Sequence, residues 1–290
     1  MYLFSVIIPH YNSVLSLKRL IDSIPVDPSV QLIIVDDKSS EDVSEIVHWV
    51  HARNGLFLHN TTDQKGAGTC RNIGLSHAEG KWLIFADADD FFLDGAFDTL
   101  RKYSDSSADI IYFSPTSRYL NTDLIAKRHI PYEKFVHEYA KCPSEHNDII
   151  LRYKFMSPWS KMIRSALVRE NQIKFDEVPA SNDVMFSMRT AHHARSIHAV
   201  TEQIYCITFS ENTLTTKKDE KKYWARVEVF VNRYQFMLDH LDIKKYRKVL
   251  PRGLFLIGTA IQQQYRMAFI FKICVYLKKH HVAMFFRSFL

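Results

Sequence analysis

Residues 65–92 read KGAGTCRNIGLSHAEGKWLIFADADDFF, and this stretch decides the fold. Positions 69–78 have helical character and stop at Gly80. The run WLIFA (82–86) is short, apolar and of the kind that a parallel sheet buries on both faces. It ends in Asp87-Ala88-Asp89-Asp90. A helix that returns to a buried strand, with polar residues at the strand's end, is one unit of an α/β sheet.

The same unit recurs on the N-terminal side. LFSVIIP (3–9) is a β-branched run ended by proline, and apolar residues at 15, 17, 20, 21 and 24 follow at nearly helical spacing. QLIIV (31–35) is a second buried strand and stops at Asp36-Asp37. Ser39 or Ser40 is expected to cap the next helix, with Glu41 and Asp42 in its first turn, where the dipole favours acids. Residues 56–59 and 109–113 supply two further strands. The alternation predicts an α/β sandwich on a mainly parallel central sheet. The acidic clusters fall at the C-terminal ends of strands, the edge where open α/β sheets bind ligands.

Beyond this the pattern thins. Residues 115–150 read as irregular. Helices are expected over 165–172 and 183–193, short strands over 196–200 and 203–209, and a helical extension from about 220 to the end. We therefore divide the chain into 1–115, 116–210 and 211–290. Charge divides with it: residues 211–290 carry 16 Lys/Arg against 6 Asp/Glu, and residues 1–210 carry 22 against 26. A basic tail on an acidic body implies two electrostatic tasks.

Composition sets outer limits. With 47% apolar and 24% charged residues the 290-residue chain can bury a sizeable core, and 8 glycines and 9 prolines argue against linkers. Cys70, Cys142, Cys206 and Cys274 have neither zinc-knuckle nor redox spacing, so free thiols in a reducing cytosol are expected. No secretory leader and no spanning helix are expected from the pattern.

Asp87 and Asp89 stand two apart, so at an extended strand end they project to the same side. Two such carboxylates repel unless a cation joins them. Hard divalent ions take one or two carboxylates together with substrate phosphates. The alternative is an acidic lead-in to a helix near Ala96.

Three segments, LFSVIIPHYNS (3–13), QLIIVDDKSSED (31–42) and the opening stretch, resemble the inverting family-2 glycosyltransferases of the GT-A fold in residue type, order and spacing. The resemblance extends more weakly through PWSKMIRSALV (158–168) and SNDVMFSMR (181–189). It implies a nucleoside-diphosphate sugar as donor, UDP by family weight, a divalent cation (Mn²⁺ or Mg²⁺) as cofactor, and a glycan or lipid-linked acceptor. Hexosyl or N-acetylhexosaminyl transfer is the class implied, commonly in bacterial surface-polysaccharide or lipopolysaccharide synthesis.

Roles carry over by position. Pro9, Tyr11 and Asn12 match the loop against the nucleotide base, and Asp37 the acid that accepts from the base ring. Gly66 matches a turn beside the donor, where a side chain would obstruct approach. Arg71 matches a cation near the diphosphate. Asp87, with Ala88 beside it, matches a contact to ribose or ion, and Asp89 the direct metal ligand. Asp183 matches the acid that serves as general base, although Asn182 stands where the family has Glu; its alternative role is an acidic helix cap. Trp159 and Lys161 are expected to border the donor–acceptor cleft, with a core position equally open for Trp159. Cys70 fits a small buried helix residue.

In the tail, Phe255, Phe269, Phe271, Tyr276, Phe285, Phe286 and Phe289 interleave with Arg266, Lys272, Lys278, Lys279 and Arg287. Residues 253–290 could lie in a membrane interface or pack as a lid. With the first reading, the protein would be cytoplasmic and peripheral on the inner membrane. No nucleic-acid module accompanies the basic stretch. His192-His193 and His280-His281 diverge by about 100° on a helix and make poor shared ligands. HYNSVLS (10–16) lacks the glycines that a nucleotidyltransferase or dinucleotide-binding fold would need after strand one. An inactive nucleotide-sugar binder remains the second class of function.

Overall fold

A computed structural model of the chain describes residues 2–120, 122, 124–209 and 218–285. Phe4–His10 (β1), Val30–Asp36 (β2), Leu56–His59 (β3) and Trp82–Phe85 (β4) form the parallel part of one sheet. Phe91–Phe92 (β5), Ile110–Tyr119 (β6), Lys161–Arg164 (β7) and Ile197–Phe209 (β8) complete it in the order β3-β2-β1-β4-β7-β6-β8-β5. β7 runs antiparallel to both β4 and β6, β5 runs antiparallel to β8, and β6 and β8 are parallel. The sheet is thus α/β in kind and mixed at one end.

β2 and β4 are buried at every residue, and β1 at all but Pro9. That is why their sequences run apolar without alternation. Val14–Asp22 (α1), Ser44–His51 (α2), Ala67–Ser76 (α3) and Ala96–Lys102 (α4) follow the first strands. Ile130–Lys141 (α5), Glu145–Lys154 (α6), Ser165–Glu170 (α7) and Val184–His193 (α8) belong to the second half. α3 packs on β1 and β2, and α5 packs on β6 and β8.

Several local expectations are corrected. α2 begins at Ser44, with Val43 at its cap position, so neither Ser39 nor Ser40 caps it; those serines bind the loop after β1 instead. The strands expected over 196–200 and 203–209 are one strand, β8, with a register irregularity opposite Phe113–Pro115. The stretch 115–150 is not irregular: it holds the end of β6 and both α5 and α6, the latter capped by Ser144.

Glu220–His240 (α9), Ile243–Tyr246 (α10), Gly253–Gln262 (α11) and Met267–Lys279 (α12) make up the C-terminal extension. Their apolar faces form a second core, with Val227, Val231, Met237, Leu256, Ile273 and Leu277, which also takes in Tyr153 of α6 and Met188 of α8. Among the described residues no helix is long and apolar enough to cross a membrane. Phe286, Arg287 and Phe289 of the aromatic tail lie outside the described residues.

Candidate functional site

The C-terminal ends of β1, β2 and β4 lie side by side, so the loops after them share one edge of the sheet. His10, the last residue of β1, is buried, and its Nδ1 lies 3.0 Å from Asp36 Oδ1 at the end of β2. Its Nε2 accepts the Ser13 amide at 3.2 Å, which leaves the ring proton on Nδ1, facing Asp36. Asp36 works against burial, yet bonds from Ser39 and His10 hold its carboxyl below the usual range. Asn12, at φ 46°, accepts from the Ser40 amide at 2.8 Å, and its amide donates to Ser39 Oγ at 3.0 Å. These bonds stitch the two loops together. Tyr11 stands 47% exposed between them, with Lys65 Nζ 5.3 Å from its ring centre. Pro9 lies within β1, in register with Val35.

Asp37 is buried and joins this edge to α3. Its Oδ1 accepts from Asn60 Nδ2 at 2.7 Å and its Oδ2 from the Gly66 amide at 2.8 Å. Gly66 precedes α3 at φ 133°, a conformation open to glycine. A Cβ there would meet only Val178 O at 3.7 Å, so within the protein itself the backbone, not space, requires glycine. At Gly68 space decides: a Cβ would come within 2.3 Å of Asp176 O. α3 therefore rests directly on the segment that leads to Asn182 and Asp183. Gly68→Ala is expected to lower stability by about 1–3 kcal/mol by overpacking. Gly258→Ala, with nothing near its Cβ in α11, should raise it by about 0.5–1 kcal/mol. Thermal denaturation of the two variants checks the contrast.

After β4 the carboxylates of Asp87, Asp89 and Asp90 each place an oxygen within 4.8 Å of the others. They are not equivalent. Asp90 is buried and bonded at both oxygens: Oδ1 accepts from the Thr208 amide at 2.7 Å and Oδ2 from Tyr205 Oη at 2.9 Å. Burial, then the charges of Asp89 and Asp87, push it well above the usual carboxylate range. Tyr205 Oη also accepts from the Asp87 amide at 2.9 Å. Asp89 is exposed, and its backbone carbonyl accepts from Arg19 and from Thr208. Its carboxyl is raised by lost hydration and by Asp87. Like charges held this close by independent bonds are the arrangement that a cation relieves. The donor set is all carboxylate oxygen, which fits Mg²⁺ or Mn²⁺. No helix cap explains it, since β5 intervenes and α4 is preceded by Gly95 in the left-handed region.

Arg71 of α3 connects this cluster to α8. It is buried, donates from Nη2 to Asp87 Oδ1 at 2.5 Å and from Nη1 to Asn182 Oδ1 at 2.6 Å. Asp183 immediately precedes α8 and is half-buried. Among the described residues no side chain hydrogen-bonds its carboxylate. Its pKa is raised, first by desolvation and then by Asp87, against the pull of Arg71 and Lys161. Cys70 beside Arg71 is buried, and burial pushes its thiol up, which fits a packed helix residue. All four cysteines are free.

Trp159 and Lys161 do not line the cleft. Trp159 is 2% exposed and stacks on Tyr205 at 6.0 Å, with Tyr132 and Phe155 against its other sides. Lys161 is equally buried, donates to Phe155 O at 2.7 Å, and is pushed well below the usual lysine range by burial. Conversely, Tyr205, Thr208 and Arg19, which fix the acidic loop, are separated from it by 70 to 119 positions. No short motif marks them.

The family model described as Glycosyl transferase family 2 matches residues 5–170. The poly(ribitol-phosphate) beta-N-acetylglucosaminyltransferase TarS of Staphylococcus aureus is 27% identical over 208 residues, 70% of this chain and 35% of that relative's length. The crystal structure of S. aureus TarS 1-349 in complex with UDP-GlcNAc superposes with a TM-score of 0.71 at 20% identity, over 96% of this chain and 80% of that one. The mannosyltransferase PcManGT from Pyrobaculum calidifontis, in complex with GDP-Man and Mn²⁺, matches with a TM-score of 0.54 at 12% identity, over 95% and 79% of the two chains. The chain thus spans about a third of the length of the TarS relative, and at these identities the superpositions establish the fold.

Proposed function

The chain belongs to glycosyl transferase family 2, and from that premise we propose that it is a metal-dependent inverting glycosyltransferase using a nucleoside-diphosphate sugar. The observation that carries the reading is the bridge of Arg71 between Asp87 and Asn182, with Asp183 next in sequence. One buried cation joins the acidic loop to Asn182, the residue before the candidate base, so donor, ion and acceptor would meet at one place.

The base of the nucleotide would lie against Tyr11 and the Pro9–Asn12 loop, with a ring N–H donated to Asp37. Each Asp37 oxygen already accepts one bond and keeps a second lone pair for this. Uridine diphosphate suits that acceptor, and the TarS complex holds UDP-GlcNAc in a chain of the same fold. Asp89 would be the principal metal ligand, with Asp87 beside it and Ala88 closing the turn. A divalent cation held there supplies Lewis-acid stabilisation of the diphosphate leaving group. Asp183 takes the proton from an acceptor hydroxyl as that oxygen bonds to the anomeric carbon. The bond from that carbon to the diphosphate oxygen breaks, and Arg71 offsets part of the charge that develops. Attack opposite the leaving group inverts the centre.

The sugar would be a hexosyl or N-acetylhexosaminyl group, and the acceptor a surface glycan or its lipid-linked precursor. A peripheral contact with a membrane surface through the C-terminal extension belongs to the same proposal.

Thermal denaturation with a panel of nucleotide sugars, with and without Mn²⁺ or Mg²⁺, tests the donor site. One nucleotide class at 100 times its Kd should stabilise by about 2.7 kcal/mol, roughly 5–10 °C, when metal is present. An unchanged melting temperature with every donor and metal would overturn it.

A further inference from the structure

α11 and α12 form an antiparallel hairpin: the turn between them is four residues, and the Gly253 amide donates to Ala283 O at 3.0 Å, closing the far end. Each helix buries one face in the second core, through Leu256 and Ala260 or through Phe269, Ile270, Ile273 and Leu277. The faces turned away from that core are not polar. On α12, Met267, Phe271 and Val275 recur every four residues and are 76%, 70% and 50% exposed. On α11, Phe255 is 70% exposed and Ile261 57%. A surface helix in water normally turns its charged face outward. Here large apolar side chains stand on that side.

The charge carried by the hairpin itself is of one sign. Residues 243–285 contain nine Lys or Arg and no Asp or Glu. Lys272, Lys278 and Lys279 flank the α12 stripe and are exposed. At the start of α12 a hollow of about 520 Å³ opens against α9, lined by Lys221, Trp224, Arg266, Phe269 and Lys272, with Glu220 its one acid. Lys272 Nζ lies 4.1 Å from the Trp224 ring centre, which holds that cation at the wall. A neutral apolar partner would leave these cations without counter-charge, and a basic second copy of the same face would repel them. An anionic lipid surface satisfies both halves of the pattern, acyl chains for the aromatic and aliphatic side chains and phosphates for the cations.

We propose that the outward face of the α11–α12 hairpin docks on an anionic phospholipid bilayer, with the hollow between α9 and α12 seating a lipid phosphate. This rests on the membrane contact proposed above and assigns it to a face, a set of anchors and a headgroup chemistry. The hairpin lies in the interface and does not enter deeper than its side chains. The catalytic half would then be held at the surface where a lipid-linked acceptor resides.

Co-sedimentation of the full chain with vesicles of phosphatidylcholine containing phosphatidylglycerol, against pure phosphatidylcholine, tests the assignment. The protein should pellet with the anionic vesicles only, and added salt should release it. A cation near such a surface contributes roughly five-fold in affinity, so Arg266→Gln with Lys272→Gln should weaken binding about 25-fold. Phe271→Ser with Val275→Ser should also release the protein; both pairs are exposed and should keep the thermal response to nucleotide sugar. Equal pelleting with neutral vesicles, no pelleting with either, or binding indifferent to both double variants would overturn the proposal. So would self-association in sedimentation velocity that the Phe271→Ser, Val275→Ser variant abolishes while vesicles remain unbound, since a second copy would then cover the face. A wild-type protein that binds vesicles but no nucleotide sugar would instead sink the donor site and leave this face standing.

Discussion

Asp183→Asn is expected to slow sugar transfer by about 10²–10⁴-fold while leaving donor binding unchanged, the range for losing a general base. The substitution keeps the shape of the side chain and the start of α8. It removes the negative charge and with it the ability to take a proton. The separation from binding follows from the geometry, since Arg71 reaches Asp87 and Asn182 and no side-chain bond to Asp183 takes part. pH carries a second signature. The carboxyl is raised by desolvation and by Asp87, and a base acts only when ionised. The wild-type rate should therefore fall, as pH is lowered, at values above the ordinary carboxylate range of about 4. In Asp183→Asn the residual rate should lose that limb. Initial rates across pH on both proteins measure it.

Asp89→Ala has the second large effect, and a different one. Of the three clustered acids, Asp90 is committed to Thr208 and Tyr205, and Asp87 to Arg71. Asp89 holds the fold only through its backbone carbonyl, which the variant keeps. Stability without ligand should be almost unchanged, or slightly higher, because a like charge is removed. The metal-dependent part of donor binding should vanish, and turnover should fall by about 10²–10⁴-fold, the equivalent of the several kcal/mol that a Lewis acid supplies. Isothermal titration with donor and Mn²⁺ separates this from the base variant, which binds normally.

Much of this was legible in the sequence, and the reason is locality. β1, β2 and β4 are continuous apolar runs, and the loops after them carry Asn12, Asp37 and Asp87–Asp90 within a few residues of each strand end. Alternation then implies a parallel sheet, whereas the order β3-β2-β1-β4 is seen only in the structure. What was not legible came from distance or from weak periodicity. α5 buries only Val136, so IPYEKFVHEYAK presents no clear apolar stripe. α6 is mostly polar, with Leu151 and Tyr153 buried. Ser39 and Ser40 look like caps in sequence, but Asn12, after the neighbouring strand, and Asp36, three residues before Ser39, take their hydrogen bonds. Trp159 looks like a sugar platform beside Pro158, and only the packing of Tyr132, Phe155 and Tyr205 around it shows a core side chain. Asn182 is the instructive case. Where the resemblance leads one to expect an acid, its amide oxygen accepts from Arg71, so the cation keeps a partner at that position without an added negative charge beside Asp183.

The central claim is that one Arg71-linked cluster both holds a nucleotide sugar and turns it over. Release of nucleoside diphosphate from the donor that binds, followed with Mn²⁺ present and candidate acceptors offered, tests it most directly. The wild type should release the diphosphate, Asp89→Ala should lose metal-dependent binding and scarcely release, and Asp183→Asn should bind normally and scarcely release. Tight donor binding with no release by the wild type under any acceptor, or equal release by the wild type and Asp183→Asn, would contradict it.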